Sequence, residues 1–310
     1  DGVTGVQTCA LPILFSANAT GPFLQKKRTL SHPSLNYCMK KYFILPAISL
    51  FLFAVADGQV TGRQRPNIIL FLVDDMGWQD TSVPFSGSPT ANNHKYHTPN
   101  MEKLAGGGLV FTNAYANNVC TPSRVSLITG INAAHHGITN WTHPEKDHPA
   151  DAPDAQFLPT AWNFNGFSPQ TNIPNTFFAK PLPAILKESG YFTVHVGKAH
   201  WASQGTPGVS PYNLGFLVNI SGHAAGHPQS YLSEDNFGNL PGSNSDQSVP
   251  DLEEYYQSGT FLTEALTKEA IKAIEYPIKK KQPFFLNLAH YAVHVPLMAD
   301  KRYFQAYLDR

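Results

Sequence analysis

Charge is scarce in this sequence, and no sign of charge predominates. Only 14% of the 310 residues are charged, and the 22 basic side chains balance the 22 acidic ones. Without a basic excess the chain lacks the electrostatic field that attracts nucleic acid, so we expect no nucleic-acid partner. The 23 glycines and 25 prolines further exclude a coiled coil. Composition therefore favours a compact fold with long loops.

Long hydrophobic runs are also few. The run from Ile44 to Ala56 is shorter than the roughly 20 residues that a membrane-spanning helix needs, so we expect no stable membrane anchor. It follows Met39 and two lysines and ends in a small-x-small pattern, which is typical of a secretory signal peptide. We therefore predict a signal peptide at residues 39–56 and an exported protein, either periplasmic or secreted.

Cysteine is rare, with three residues in the chain. Residues 1–13 resemble the translation of a sequencing-library adapter, and we interpret residues 1–38 as adapter and untranslated read-through; a genuine extension is the alternative. Cys9 and Cys38 fall in that segment, which leaves Cys120 as the single cysteine of the predicted exported protein. A lone thiol in an oxidising compartment is unusual. Either simple burial or chemical modification would explain it.

The stretch Val119–Gly130 predicts a loop that brings Cys120 onto the first turn of a helix. Pro122 suits the first helical position, and Gly130 suits the C-terminal stop. Free backbone N–H groups and the helix dipole would favour an anion beside Cys120, and Arg124 could face the same anion. The alternative is a small buried cysteine at the start of a core helix.

Three apolar segments, 67–73, 191–196 and 284–289, predict strands that are buried on both faces. Asp74 and Asp75 follow the first strand, Lys198 and His200 follow the second, and His294 follows the third. The carboxyl ends of parallel strands meet at one sheet edge, where functional groups gather. Adjacent carboxylates suit Ca²⁺ or Mg²⁺, with a solvated turn as the alternative for the aspartates.

Other patterns predict a helix from Thr98 to Ala105, a strand at 109–115, a helix at 182–189 and a helix at 260–275 that Pro277 ends. A long loop at about 143–176 has no sustained period. Four aromatic residues in or beside it could line a carbohydrate-binding face or fix the loop to the core: Trp141, Trp162, Phe164 and Phe167.

Four motifs together resemble the formylglycine-dependent (type I) sulfatases. They occur in family order as Asp-Asp-x-Gly, Cys-x-Pro-Ser-Arg-x-Ser-Leu-x-Thr-Gly, Gly-Lys-x-His and His-x-Pro. Segments 76–81 and 138–141 resemble bacterial carbohydrate sulfatases in particular. The resemblance implies an α/β fold, namely the alkaline-phosphatase-like α/β/α sandwich with a mostly parallel central sheet. It also implies a maturing enzyme that oxidises the motif cysteine to an aldehyde, and a sulfated carbohydrate as substrate.

The resemblance also assigns roles to residues. The implied catalytic set is Cys120, Arg124, Lys198, His200 and His294. Asp74, Asp75 and the hydrated aldehyde made from Cys120 would bind Ca²⁺, with Mg²⁺ as the alternative. One hydroxyl of the hydrate would attack sulfur, Lys198 and Arg124 would hold the sulfuryl oxygens, His200 would contact the hydrate, and His294 would protonate the leaving alcohol.

The remaining metal ligands and a second lysine of the family follow the His-x-Pro motif. We therefore expect residues 57–310 to be the N-terminal portion of a sulfatase catalytic domain whose C-terminal part is missing. Two other functions stay open. A phosphoester hydrolase of the same superfamily could use the same pocket, and a non-catalytic sulfated-glycan-binding homologue could keep the pocket without maturing Cys120.

Overall fold

The computed structural model describes residues 65–150, 156, 162–243 and 245–308. The predicted signal peptide and the segment before it lie outside these residues. The helices are α1 (Pro99–Gly106), α2 (Cys120–Thr129), α3 (Ala133–His136), α4 (Leu182–Glu188), α5 (Leu262–Lys279) and α6 (Lys301–Leu308). The strands are β1 (Ile68–Val73), β2 (Phe167–Ser168), β3 (Phe177–Phe178), β4 (Phe192–Gly197), β5 (Val218–Ile220) and β6 (Phe284–His290). No described helix is both long and apolar enough to cross a membrane.

The main sheet has four parallel strands in the order β1-β6-β4-β5. Its register pairs Val73 of β1 with His290 of β6, and Gly197 of β4 with Ala289 of β6. The carboxyl ends of these three strands therefore lie level with one another. The segments that follow them leave the sheet at one edge, as the sequence predicts. The short strands β2 and β3 form a separate two-stranded parallel sheet.

Helices cover both faces of the main sheet. On one face Leu262 and Leu266 of α5 pack against Leu286 of β6. On the other face Val125 of α2 belongs to the same apolar cluster as Phe285 of β6. Each fully buried side chain of this kind contributes about 1.5–3 kcal/mol. The layered α/β fold and the burial of these strands on both faces are thus confirmed.

Two predicted elements were wrong. Segment 109–115 forms no strand in the described part of the chain beyond an isolated bridge residue at Leu109, and its apolar side chains face solvent; Tyr115 is 85% exposed. Helix α5 does not end at Pro277 but continues to Lys279. The missing N–H of Pro277 removes one hydrogen bond near the helix end, while the Pro277 ring itself is buried.

The start of α2 also differs from the prediction. The helix begins at Cys120, with the extended Val119 as its N-cap, so Pro122 is its third residue and not its first. A proline costs no hydrogen bond there either, because the first four N–H groups of any helix lack intrahelical partners. Gly130 ends α2 in the left-handed conformation, as predicted.

Candidate active site

Asp74 and Asp75 lie where β1 ends at the sheet edge. The backbone N–H of Asp74 donates to the Ala292 carbonyl (2.8 Å), and the N–H of Val293 donates to the Asp74 carbonyl (2.7 Å). These bonds fix the segment after β6 against the end of β1. Asp75 takes a positive φ of 54°, and its side chain is partly exposed while that of Asp74 is buried. The carboxylate of Asp74 therefore lies in the protein interior, whereas that of Asp75 is partly in contact with solvent.

Two buried cations neutralise Asp74. Nη2 of Arg124 donates to Oδ1 of Asp74 (2.7 Å), and Nζ of Lys198 forms an ion pair with Oδ2. Nη1 of Arg124 also donates to the Lys198 carbonyl (2.8 Å), so the guanidinium connects α2 to the end of β4. Burial raises the pKa of Asp74, but the charges and hydrogen bonds of both cations outweigh burial and hold this pKa well below its usual value. Asp74 is thus a stable anion.

Cys120 contacts a neutral histidine. Its Sγ lies 3.3 Å from Nδ1 of His200, and Nε2 of His200 lies 2.8 Å from the Thr142 carbonyl. A carbonyl can only accept, so Nε2 carries the proton and Nδ1 presents a lone pair to residue 120. Burial, and after it the Lys198 charge, lowers the pKa of His200 to about 3. The ring therefore stays neutral near pH 7, with the lone pair of Nδ1 directed at the group at position 120.

His294 lies beside Asp75, with its Nε2 3.4 Å from Oδ2 of that carboxylate. Its Nδ1 is 3.1 Å from the Val295 carbonyl, so Nδ1 donates and Nε2 faces Asp75. Burial and the Lys198 charge lower the pKa of His294, and the Asp75 carboxylate partly opposes them. Ligand atoms of Asp74, Asp75 and His294 lie within 4.8 Å of one another.

Two cavities meet at Cys120. The larger, of about 630 Å³, is lined among others by Asp75, Cys120, His200 and His294. A small cavity of about 30 Å³ is bordered by Asp74, Asp75, Cys120 and Arg124. Its size suits one ion or water, and the two carboxylates are the oxygen donors that a hard divalent cation prefers. Asp75 fits such an ion directly, whereas each oxygen of Asp74 already binds Arg124 or Lys198, so Asp74 could serve as a ligand only through its remaining lone pairs.

The structure thus brings the seven predicted site residues to one edge of the sheet. Arg124 and Lys198, predicted to hold the sulfuryl oxygens, instead face Asp74 and do not line the larger cavity, because the buried carboxylate must be neutralised. Sequence reasoning missed the role of Thr142, whose backbone oxygen orients His200 and leaves no mark in the sequence. It also gave no role to His227, whose ring stacks on His294 with centroids 5.7 Å apart. Of the predicted aromatic face, Trp141 lines the larger cavity, whereas Phe167 is buried in the core.

The sulfatase family model matches residues 66–309. The chain belongs to the sulfatase family. N-acetylgalactosamine-6-sulfatase of Mus musculus is 30% identical to this sulfatase over 258 residues, which are 77% of this chain and 42% of that protein. The Homo sapiens protein of the same name is 31% identical over 253 residues, 77% of this chain and 41% of its own length. This sulfatase therefore spans less than half the length of these curated relatives.

Solved structures agree with this assignment. Ps i-CgsB is 27% identical, with a TM-score of 0.55, and the match covers 79% of this sulfatase and 49% of that chain. The complex of Ps i-CgsB with k-i-k-neocarrahexaose matches over the same shares with a TM-score of 0.54. The family and the α/β fold predicted from the motifs are confirmed, and the individual roles of the site residues stay predictions.

Proposed function

We propose that this protein hydrolyses sulfate esters of sulfated carbohydrates, with an oxygen nucleophile that derives from Cys120 after its oxidation to formylglycine. The observation that carries the proposal is the contact of Cys120 Sγ with the lone pair of neutral His200, in a cavity that also reaches Asp75 and His294. The names of the curated relatives support a sulfated sugar as substrate.

His200 acts as the base at position 120. The hydrated aldehyde would supply two hydroxyl groups on one carbon. One would attack sulfur as the alcohol departs, and loss of the proton of the other would expel sulfate and restore the aldehyde. Nδ1 of His200 is the atom placed to accept a hydroxyl proton, and the bond from Nε2–H to the Thr142 carbonyl fixes the tautomer that allows this. The low pKa of His200, about 3, keeps Nδ1 free at neutral pH.

Asp74 and Asp75 would hold Ca²⁺, with Mg²⁺ as the alternative, in the small cavity beside Cys120. A divalent cation there supplies positive charge for the sulfate oxygens. Lys198 and Arg124 keep Asp74 ionised and each occupies one of its oxygens, so a cation would share those oxygens through their second lone pairs. They also add positive charge below the reacting group, which favours charge that develops on sulfate oxygens.

His294 is the proposed donor to the leaving alcohol. It lines the larger cavity, and its Nε2 faces the cavity side of Asp75. His294 would donate this proton to the departing oxygen as the imidazolium; the Asp75 carboxylate favours protonation of Nε2, whereas burial and the Lys198 charge oppose it. His200 and His294 thus contact different groups, Cys120 and Asp75, which separates the roles of base and acid.

The decisive experiment is mass spectrometry of the peptide that carries Cys120, together with an assay of sulfate release. The full-length protein is expressed with a formylglycine-generating enzyme and exported, and a known sulfatase matured in the same cells is the control. Cys120→Ala, which cannot form the aldehyde, gives the background rate. We expect the mass of an aldehyde or its hydrate, and release only from the protein that carries it.

An intact thiol, with the control sulfatase matured, would contradict the proposal. Binding of sulfated glycans by such a protein would then favour the non-catalytic homologue. Faster turnover of phosphate esters than of matched sulfate esters would favour a phosphoester hydrolase. Loss of sulfate release on dialysis against a chelator, and recovery with added Ca²⁺, tests the metal.

A further inference from the structure

Three aromatic rings form a continuous surface at the larger cavity. They belong to residues 141–148, here called the mouth segment. The Trp141 and His143 ring centroids lie 5.8 Å apart, and those of His143 and His148 lie 4.2 Å apart with a 33° interplanar angle. Trp141 and His143 line the same cavity as Cys120 and His200. An aromatic surface is therefore present within the cavity where the ester would be cleaved.

Hydrogen bonds hold the mouth segment in a fixed place. The backbone N–H of Thr142 donates to Oγ1 of Thr121 in α2 (2.9 Å), and the Thr142 carbonyl accepts from His200. Oγ of Ser203 donates to the His143 carbonyl (2.8 Å), and the N–H of Gln204 donates to the Pro144 carbonyl (2.8 Å). Because the backbone on both sides of the rings is hydrogen-bonded, the mouth segment loses little conformational entropy when a ligand binds.

The polar groups of the rings suit neutral hydroxyls. The Trp141 indole N–H donates to no other residue in the described part of the chain, so it is free to donate to a ligand. The N–H of Glu145 donates to Nδ1 of His143 (3.0 Å), so the neutral ring carries its proton on Nε2. One face of a sugar ring presents C–H groups that favour the negative face of an aromatic ring.

The other polar lining groups are carboxylates, the amides of Asn118 and Gln247, and the ring of His227. Asp75, Asp80 and Asp246 line the cavity together with Gln247, and no lysine or arginine lines it among the residues that the structure describes. Carboxylates accept hydrogen bonds from hydroxyls and repel sulfate and carboxylate groups. The buried cations described above lie against Asp74, below the position of the cleaved ester. Lys146 of the mouth segment pairs with Asp147, and neither residue lines the cavity, so the charged side chains of the lining are carboxylates.

We propose that the mouth segment and the acidic lining residues form a subsite for an uncharged sugar ring. Trp141 and His143 stack on the sugar, His148 supports the His143 ring from outside the lining, and Asp80, Asp246 and Gln247 bind the free hydroxyls. The protein therefore prefers a sugar that carries one sulfate to the same sugar with a second sulfate or a carboxylate. This inference rests on the proposed function, since it deepens the substrate class of the same site.

The test uses a panel of singly sulfated galactose, glucose, fucose and N-acetylgalactosamine, each with a disulfated counterpart. Calorimetric binding is measured for Cys120→Ala, and sulfate release for the matured protein. For the best singly sulfated sugar, we expect Trp141→Ala to weaken binding by the Cys120→Ala protein by about tenfold to hundredfold. It should raise KM of the matured protein by a similar factor. Trp162→Ala, which removes an exposed tryptophan outside the cavity lining, is the matched control and should stay within twofold.

A second variant tests whether the acidic lining residues disfavour a second sulfate. Asp246 is exposed and makes one long contact, from Nε2 of Gln204 at 3.4 Å, so Asp246→Asn should fold normally. We expect single sulfates to be preferred to disulfates by about tenfold or more in the parent, and the preference to shrink in Asp246→Asn. A parent that prefers disulfates, or Trp141→Ala that binds like the parent, overturns the subsite.

The outcomes for the subsite and for the proposed function are distinguishable. Sulfate release that is indifferent to Trp141 contradicts the subsite and leaves the sulfatase activity intact. Binding that depends on Trp141, with no release from any panel member by matured protein, supports the subsite and contradicts the activity. Absence of both binding and release across the panel overturns both.

Discussion

Alanine at position 226 should displace the proposed base, because its methyl group would press on the His200 ring, including both ring nitrogens. Gly226 lines the larger cavity, and a Cβ built there would lie 2.8 Å from Cε1 of His200. Two further ring atoms would lie at 3.2 and 3.3 Å. The backbone of Gly226 is not in the left-handed region, so alanine is unstrained in itself. The three heavy atoms nearest to the added Cβ are all in the His200 ring.

The size of the effect follows from how tightly the ring is held. Carbon atoms in contact prefer about 3.5–4.0 Å, so the His200 ring must move by roughly 0.7 Å or more. Movement lengthens either the bond to the Thr142 carbonyl, now 2.8 Å, or the contact to Cys120 Sγ, now 3.3 Å. Overpacking of this kind costs about 1–3 kcal/mol. A misplacement near 1 Å costs about a hundredfold in rate.

The assay combines thermal unfolding with kcat on the best single sulfate of the panel. We expect Gly226→Ala to lower Tm by roughly 2–12 °C and kcat by about tenfold to hundredfold. Gly106→Ala is the matched control, because its Cβ would meet nothing within 4 Å and its backbone is helical, and it should keep Tm and kcat. Wild-type Tm and kcat in Gly226→Ala would refute the claim that His200 has no free space around it; the Tm result does not depend on the proposed activity.

Two further predictions concern buried polar groups. His290 has no hydrogen-bond partner for Nδ1 among the described residues, and burial lowers its pKa to about 4. The unfolded chain binds the extra proton between about pH 6.5 and 4, so stability falls there as pH falls, by up to about 1.4 kcal/mol per pH unit. The free energy of unfolding in urea, taken as His290→Leu minus parent, should therefore be more favourable to the variant at pH 5 than at pH 7.5. The same difference at both pH values would contradict this. Arg124→Lys cannot reach both Asp74 and the Lys198 carbonyl, and it should cost about 1–3 kcal/mol in urea at pH 7.5. The exposed Arg302→Lys is its control, and an unchanged midpoint for Arg124→Lys would count against the argument.

The sheet could be predicted from the sequence because its strands are short apolar runs bounded by polar residues. Asn67–Val73 and Phe284–Ala289 each lie within a residue or so of the observed β1 and β6. Segment 109–115 has similar composition, but in the described part of the chain it forms no strand beyond an isolated bridge residue at Leu109, and pairing depends on distant residues that a local pattern does not report. Pro277 shows the opposite error, because the rule that proline ends a helix predicted an end that the structure does not have. Burial of the Pro277 ring compensates for the backbone hydrogen bond that proline cannot form.

The sequence was enough to predict which residues form the site, but not which of their side chains contact one another. Strand ends and motif order were enough to place Asp74, Lys198 and His294 at one edge. The same reasoning had Arg124 face the anion beside Cys120, whereas its guanidinium forms a buried pair with Asp74. Buried charge must be neutralised within the fold, and which cation does so depends on side-chain directions that spacing alone leaves open.

One peptide unit connects the proposed base to the proposed sugar subsite. The Thr142 carbonyl accepts from Nε2 of His200, and its two neighbours, Trp141 and His143, supply the aromatic surface. A sugar that stacks on these rings therefore restrains the same segment that fixes the tautomer of the base. Binding energy from a part of the substrate remote from sulfur would then improve the position of His200, which acts on kcat as well as KM. Loss of Trp141 should accordingly lower kcat in addition to raising KM, whereas a ring contact that only anchors the sugar would raise KM alone.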